Sequence, residues 1–272
     1  MRACCCTFYG GGQEQPLYQI AETDEVGDRM TGIFFDIDDT LYSRRSLLLQ
    51  AAGDTLAETG GGAKLPDASR FMDAFYAFSD DNFPRIMSGE ITPWQSNVER
   101  YVRTLRHLGL NADDADGEVF ADRYEWLQNH LTLSYPLQEL LQELSTCPAV
   151  RLGVITNGTC DRQGKKFRML GLDRYIAPQL LIVSGEIGVS KPDPGIFRAA
   201  RERIGLTPED LWMIGDSYRA DICGAKRCGW HTLWINCNEE KPGEVASDLT
   251  VCSEEELCRA VRNLAGIAGS AQ

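Results

Sequence analysis

The fold is decided by a short stretch near the start of the chain, Ile33-Phe34-Phe35-Asp36-Ile37-Asp38-Asp39-Thr40. Its apolar first half is typical of a buried β-strand. The stretch then ends in three carboxylates and a hydroxyl, and ionised carboxylates at the edge of a core are costly unless a cation or hydrogen-bond donors face them. Clustered oxygen ligands suit Mg²⁺. The stretch therefore predicts a metal site at a strand end. The alternative is an acidic turn in which Asp39 or Thr40 caps the next helix.

Two later segments carry groups that bind phosphate oxygens. Residues 151–158 form an apolar strand that ends in Thr156, Asn157 and a glycine, so a hydroxyl and an amide follow the strand directly. Both groups can donate hydrogen bonds to an anion. Further along, Lys191 precedes a proline-marked helix start. A lysine held there would supply a fixed positive charge.

A third segment, residues 211–221, repeats the pattern of the opening stretch. It is an apolar strand that ends at Asp216, and Asp221 follows five residues later. In a parallel sheet the loops at the carboxyl ends of the strands meet at one edge, so acids about 180 residues apart can share one crevice. We therefore expect Asp36 and Asp216 to lie together.

In combination, these four segments resemble the motifs of the haloacid dehalogenase-like hydrolase superfamily. That family has an Asp-x-Asp-x-Thr strand end, a Thr or Ser strand end, a Lys, and a Gly-Asp pair followed by another acid. All four occur here in the same order, and the resemblance covers roughly residues 31–264. The match is specific as a set, although the Thr and Lys segments alone would be weak signals.

The order of secondary-structure patterns agrees with an α/β fold. After the first strand the pattern is purely helical over residues 43–135, where Thr92 and Gln95 have the spacing of a capping box. Strand and helix patterns then alternate, which predicts a doubly wound parallel sheet with helices on both faces. We expect a Rossmann-like α/β core formed by residues 30–42 and 136–266, and an inserted helical cap over residues 43–135.

Aromatic residues recur at helical spacing within the helical stretch, at Phe71, Phe75 and Phe78. Rings at this spacing usually belong to a helix core. Stacking on a nucleobase or sugar is the alternative.

The remaining composition limits the choice of partners and compartment. A net charge of −13 over 272 residues disfavours binding to nucleic acid polymers or anionic membranes. No apolar run is long enough to span a bilayer, and ten cysteines without paired Cys-x-x-Cys motifs indicate neither a zinc ribbon nor a redox motif. We expect a cytoplasmic protein, a monomer or homodimer, whose cysteines beyond the N-terminal triplet are buried or half-buried.

The N-terminal 29 residues carry no recognisable signal. They are polar and glycine-rich, and we expect them to be disordered. Met30, which directly precedes the first strand, is a plausible true start. The Cys4-Cys5-Cys6 triplet leaves metal capture and lipid attachment open.

The resemblance implies a role for each residue of the first motif. Asp36 would attack the phosphorus of a phosphomonoester and form an aspartyl-phosphate, which water then hydrolyses. Asp38 would protonate the leaving oxygen and later deprotonate that water. This role needs a proton on Asp38 at the first step, so its pKa is expected to be raised. Dehalogenases of the family lack an acid at this position, which argues against carbon–halogen cleavage.

Mg²⁺ is the cofactor that the resemblance implies. Its ligands would be Asp36, the backbone carbonyl of Asp38 and the side chain of Asp216. Asp221 has two possible roles, since it would either complete the metal shell or position Lys191. A third possibility for Asp221 is an acid stabilised by a helix N-terminus.

The substrate would be a small phosphate ester. Thr156, Asn157 and Lys191 are expected to bind its phosphate, while Arg44 or Arg45 would reach a second acidic group or remain solvated. Nucleoside monophosphates and sugar phosphates are the substrates expected, with phosphoglycolate as a further candidate. A phosphomutase of the beta-phosphoglucomutase type and a non-catalytic phosphate-binding module remain as alternatives.

Overall fold

The computed structural model describes residues 30–60, 63–65, 67–237 and 240–267. The expected disorder of residues 1–29 and the role of Cys4 to Cys6 lie outside these residues. In chain order, the strands are β1 Thr31–Phe35, β2 Val150–Thr156, β3 Leu181–Val183, β4 Leu211–Gly215, β5 His231–Ile235 and β6 Leu249–Val251. They form one parallel sheet in the order β3-β2-β1-β4-β5-β6. The predicted doubly wound α/β fold is confirmed.

The first strand, β1, lies in the middle of the sheet. It pairs with β2 on one side and β4 on the other, with Phe35 level with Val154 and Ile214. Both faces are covered, so the apolar residues at 33–35 are completely buried. The amide of Asp36 continues the ladder by donating to the Ile214 carbonyl at 2.9 Å. The sheet thus places the first acid of the motif at a central position.

Ten α-helices are described. They are α1 Arg44–Thr59, α2 Ala68–Met87, α3 Pro93–His107, α4 Asp114–Gln128, α5 Tyr135–Thr146, α6 Cys160–Met169, α7 Ser184–Ile187, α8 Pro194–Ile204, α9 Cys223–Arg227 and α10 Glu254–Leu264. A π-helical turn, Tyr218–Ile222, leads into α9. We call α1–α4 the helical segment; its helices agree with the helical pattern predicted for residues 43–135, whereas its role as a cap stays a prediction.

The helical segment has an apolar core of its own. Phe71, Phe75, Tyr101 and Phe120 are fully buried in this core, which is separate from the larger core around the sheet. The interpretation of Phe71 and Phe75 as core residues is therefore confirmed, and their stacking on a ligand is excluded. Phe78 is half-buried beneath the Arg103 guanidinium, 4.2 Å from the ring centre.

Local capping explains where the helices of this segment begin. The expected capping box is present, because the Gln95 amide donates to Thr92 Oγ1 at 3.1 Å and the Thr92 amide donates to Gln95 Oε1 at 2.8 Å. Ser43, and neither Asp39 nor Thr40, is the N-cap of α1. The capping alternative is nevertheless partly correct, because Asp39 Oδ1 accepts from the Arg44 amide in the first turn of α1 at 2.7 Å.

Two predictions about the surface can be compared with the structure. In the described part of the chain, no helix combines the length and apolar character needed to cross a membrane. The expectation that the cysteines are buried or half-buried is only partly correct: Cys223 and Cys258 are buried, but Cys160, Cys237 and Cys252 are exposed. Cys160 begins α6, and Cys237 and Cys252 follow the strands β5 and β6.

Candidate active site

The ends of three neighbouring strands meet at one edge of the sheet. Asp36 follows β1, Thr156 ends β2 and Asp216 follows β4. From β1 the chain adds β2 and β3 on one side of the sheet and then β4 to β6 on the other, so these residues lie where the strand order changes direction. Ligands of open α/β sheets bind at such a point. A cleft of about 490 Å³ opens there, which we call the strand-end cleft. The predicted residues that line it are Asp36, Asp38, Arg44, Thr156, Asn157, Lys191 and Asp216.

Three carboxylates face one ammonium group at the base of this cleft. One oxygen each from Asp36, Asp216 and Asp221 lies within 4.8 Å of the others. Lys191 Nζ lies 2.9 Å from Asp36 Oδ1 and 2.6 Å from Asp221 Oδ1. The Lys191 and Asp221 side chains are almost fully buried. Because one positive charge faces three acids, the cluster has an excess of negative charge.

The pKa values in the cluster reflect this imbalance. Burial raises the pKa of Asp216 to about 7, and the charges of Asp221 and Asp36 add to the effect. Burial also raises the pKa of Asp221, although the ion pair with Lys191 opposes the increase. Burial disfavours the charged form of Lys191, but the two acids beside it outweigh this and raise its pKa. Lys191 is therefore firmly protonated, whereas Asp216 changes its protonation state near neutral pH.

This donor set fits a small divalent cation. Carboxylate oxygens are the ligands that Mg²⁺ prefers, and an added cation would relieve the repulsion that raises the pKa of Asp216. Asp36 and Asp216 each offer an oxygen to this group, and the two oxygens lie within 4.8 Å of each other. The side chain of Asp38 is not part of this three-acid group.

Both oxygens of Asp221 are already occupied. Oδ1 pairs with Lys191, and Oδ2 accepts from the Ser217 amide at 3.0 Å. This arrangement favours positioning of Lys191 over metal ligation as the role of Asp221. Its packing also explains the glycine before Asp216, because a Cβ at Gly215 would lie 2.2 Å from Asp221 Oδ2.

Asp38 has a different environment. Its Oδ1 accepts hydrogen bonds from Tyr42 Oη and Lys166 Nζ, and its Oδ2 accepts from Gln163 Nε2 at 3.2 Å. Burial alone would raise the pKa of Asp38, but these donors outweigh burial and lower it. The expected raised pKa of Asp38 is thus wrong, because three donors surround the carboxylate and no pattern in the sequence indicates them.

Two of these donors were missed by the sequence analysis. Gln163 and Lys166 lie three residues apart on α6, so both face the same side of the helix. Both are buried, whereas the adjacent Lys165 is exposed. The helical spacing downstream of Thr156 was the available signal. It would have required knowing which face of α6 is turned toward β1.

Thr156 and Asn157 have distinct contacts. Thr156 is completely buried, and its Oγ1 has no hydrogen-bond partner among the described residues. A buried hydroxyl at the base of a cleft is satisfied when an anion binds there. Asn157 instead holds the backbone of Lys191: its Oδ1 accepts from the Lys191 amide at 2.8 Å, and its Nδ2 donates to the Lys191 carbonyl at 3.0 Å. Contact of Asn157 with a substrate stays a prediction.

The two arginines after the first motif are placed differently. Arg44 Nε donates to Asp39 Oδ2 at 2.6 Å, and the arginine lines the strand-end cleft. Arg45 is half-buried and is not among the residues that line either cleft described in this section. Of the two, the structure favours Arg44 as a group that could reach a ligand.

A second, larger cleft of about 670 Å³ lies between the helical segment and α6. We call it the segment cleft. Arg44 lines both clefts, and the Asp38 partners Tyr42 and Lys166 line the segment cleft. Asp38 therefore lies at the boundary between the two.

Comparison with known proteins gives a consistent result. The family model of haloacid dehalogenase-like hydrolases matches residues 30–229. A glyceraldehyde 3-phosphate phosphatase of Methanopyrus kandleri is 27% identical over 241 residues, which cover 86% of this chain and 97% of that protein. The pyrimidine 5′-nucleotidase YjjG of Escherichia coli is 37% identical over 109 residues, covering 39% of this chain and 48% of the nucleotidase.

Solved structures show the same fold. The magnesium-bound HAD-hydrolase YfnB of Bacillus subtilis has a TM-score of 0.57 and 24% identity, with 86% of this chain and 99% of that chain covered. A dehalogenase crystallised as an intermediate complex has a TM-score of 0.58 and 20% identity, with 87% and 98% covered. At these identities the likeness concerns the fold alone.

Proposed function

The chain belongs to the haloacid dehalogenase-like hydrolase family, and on this premise we propose that it is a Mg²⁺-dependent phosphatase acting on a small phosphomonoester through an aspartyl-phosphate. The observation that carries the proposal is the contrast between Asp36 and Asp38 at the end of β1. Asp36 faces Lys191 and two further acids, whereas Asp38 faces hydrogen-bond donors. Named relatives of the chain include phosphatases of glyceraldehyde 3-phosphate and phosphoserine.

In the first step, an Asp36 oxygen would form a bond to phosphorus while the bond to the leaving oxygen breaks. Lys191 and the unpartnered Thr156 hydroxyl would stabilise charge on the phosphoryl oxygens. Asp38 would give its proton to the leaving oxygen. In the second step, Asp38 takes a proton from water, the water oxygen bonds to phosphorus, and the bond to Asp36 breaks to release phosphate.

Mg²⁺, held by Asp36, Asp216 and the backbone carbonyl of Asp38, would reduce the repulsion between the nucleophile and the anionic phosphate. Two side chains of the protein hold Lys191 in position. Asn157 fixes the backbone of Lys191, and Asp221 fixes its ammonium group. The nucleophile therefore approaches a phosphate whose oxygens face groups that are already held in place.

The low pKa of Asp38 restricts how it obtains its proton. Burial opposes ionisation of Asp38, but the donors Tyr42, Gln163 and Lys166 outweigh it and favour the ionised form. A phosphate bound beside it adds negative charge, and a nearby like charge raises the pKa of a carboxyl group. Burial lowers the pKa of Lys166, whose ammonium group is in direct contact with Asp38. We infer that Asp38 becomes an acid when substrate binds.

The proposal is tested by phosphate release from nucleoside monophosphates, sugar phosphates and phosphoglycolate, with Mg²⁺ and with a chelator. We expect Mg²⁺-dependent release from one chemical group and none from the Asp36→Asn protein. Release that persists unchanged in chelator would contradict the role of the metal. A folded, Mg²⁺-binding protein that releases phosphate from no ester would contradict the phosphatase assignment and favour the mutase or the non-catalytic module.

A further inference from the structure

The position of Asp38 determines where the rest of the substrate must lie. If Asp38 protonates the leaving oxygen, the leaving group has to be next to it and on the side away from Asp36. The Asp38 partners Tyr42 and Lys166 line the segment cleft, and Arg44 connects the two clefts. On the proposed mechanism, the leaving group would therefore extend into the segment cleft while the phosphate lies in the strand-end cleft.

The segment cleft is large for a short acyclic acid. Its volume of about 670 Å³ falls in the range of roughly 300–1,000 Å³ that holds typical small-molecule ligands. A two-carbon leaving group such as glycolate would leave most of this space filled with water. The volume thus favours a ring-containing leaving group.

One wall of the segment cleft combines an indole with amide groups. Trp94 and Asn97 lie three residues apart in α3 and so face the same side of the helix, and Gln128 is the last residue of α4. An indole offers a flat face to a ring, and amides both donate and accept hydrogen bonds. This combination suits a ring that carries hydroxyl or carbonyl groups.

The Trp94 ring is held in a fixed place. Its Nε1 donates to Asp122 Oδ1 on α4 at 2.7 Å, and the side chain is half-buried. The polar edge of the indole is thereby satisfied by the protein, so the aromatic face is what remains for a ligand. Trp126 offers a contrast within the same segment, because it is 58% exposed, stacks on His130 and is not among the residues lining the segment cleft.

We propose that Trp94 is the platform on which the ring of the leaving group stacks, with Asn97 and Gln128 bonding to its polar groups. The proposal rests on the proposed phosphatase function and narrows it to ring-containing phosphomonoesters, that is, sugar phosphates or nucleoside monophosphates rather than phosphoglycolate. The shared chemistry is a ring with hydrogen-bonding substituents. Comparing an ester that has a base with one that has only a sugar shows which of the two rings stacks on Trp94.

The test compares kcat/KM for uridine 5′-monophosphate, ribose 5-phosphate and phosphoglycolate in the wild-type, Trp94→Leu, Trp94→Phe and Trp126→Leu proteins. Base stacking on an aromatic side chain is typically worth about 10-fold in binding. We expect Trp94→Leu to lower the ratio of ring ester to phosphoglycolate about 10-fold, and Trp94→Phe to restore most of it. Trp126→Leu should leave all three kcat/KM values unchanged. Thermal unfolding shows whether each variant is folded. If Trp94→Leu is not folded, the same comparison of esters is made with Asn97→Ala.

Each result has one meaning. Loss confined to uridine monophosphate supports stacking of the base, and equal loss for both ring esters supports stacking of the sugar. A wild-type preference for phosphoglycolate, or a ratio unchanged in Trp94→Leu, overturns the Trp94 platform while leaving the phosphatase intact. Absence of release from all three esters and from the wider panel overturns the phosphatase function, and the platform with it.

Discussion

Asp36 and Asp38 lie only two residues apart at the end of β1, yet the charges that surround them differ. Asp36 shares Lys191 with Asp221, and Asp216 is the third acid of the group, so negative charge is in excess around Asp36. Asp38 accepts from three donors, one of them the Lys166 ammonium, so its charge is compensated. The two acids therefore receive different roles from residues far away in sequence. Asp36 needs an added cation to balance the charge around it, and Asp38 does not.

The largest effect is expected from removing the nucleophile. Asp36→Asn deletes the oxygen that attacks phosphorus, so phosphate release should fall by about 10⁴-fold or more. The measurement is steady-state release from the best ester of the panel at saturating Mg²⁺. A rate close to wild type would show that Asp36 is not the nucleophile.

Asp38→Asn should have a smaller effect on turnover and none on the cation site. General acid–base catalysis typically contributes about 10²–10⁴-fold, so kcat should fall within that range. Because the Asp38 side chain lies outside the three-acid group, the shift of the unfolding temperature on adding Mg²⁺ should match that of the wild type. Loss of this shift would mean that the two acids are not separate in function.

Removing Lys166, the positively charged partner of Asp38, should lower the free energy of unfolding. Lys166→Met leaves a largely buried carboxylate without its cation, which typically costs about 3 kcal/mol. Lys165→Met on the same helix is the matched control, and this exposed lysine should cost less than about 0.5 kcal/mol. Chemical denaturation measures both values.

The Lys166 effect should also depend on pH. The pKa of Asp38 lies below its ordinary value in the folded protein, so its ion pair contributes stability above that ordinary value, and this contribution is lost as pH falls through the folded pKa. The difference between Lys166→Met and wild type should therefore shrink in strong acid. Equal stability of the Lys165 and Lys166 variants at neutral pH would contradict the ion pair.

The smallest expected effect is a pH dependence of the metal-free protein. The pKa of Asp216 is about 7 in the folded state and near 3.8 when unfolded. Between these values the folded state binds more protons, so stability falls as pH rises, by an amount on the order of 1 kcal/mol after allowance for solvent. Saturating Mg²⁺ should remove this loss. Unfolding temperatures from pH 5 to 8, with and without Mg²⁺, test it.

The positions of the site residues at the strand ends could be predicted, because the end of an apolar strand is recognisable in the sequence. Asp36, Thr156 and Asp216 each follow an apolar run, and parallel strands bring such ends to one edge. The edge strand β6, Leu249–Val251, was missed, since a threonine separates its two apolar residues and a polar residue precedes them. The sheet was therefore predicted except for this one edge.

The environment of Asp38 was not predictable in the same way. Lys165 and Lys166 are adjacent in sequence and chemically identical, but only Lys166 is buried against the carboxylate. Which of them points inward depends on the rotation of α6 about its axis, and that rotation is set by packing against the sheet. The sequence analysis therefore identified the acid but gave the wrong direction for its pKa.

The separate apolar cores of the sheet and of the helical segment have a consequence for evolution. Leu47 packs against both cores, but the fully buried rings of the segment, including Phe71, Phe75 and Phe120, belong to one core alone. Substitutions that repack the segment therefore leave the strands that carry the acids unaltered. A lineage can exchange the walls of the segment cleft, Trp94 among them, while inheriting the same chemistry, so descendants of one such gene can come to serve different metabolites.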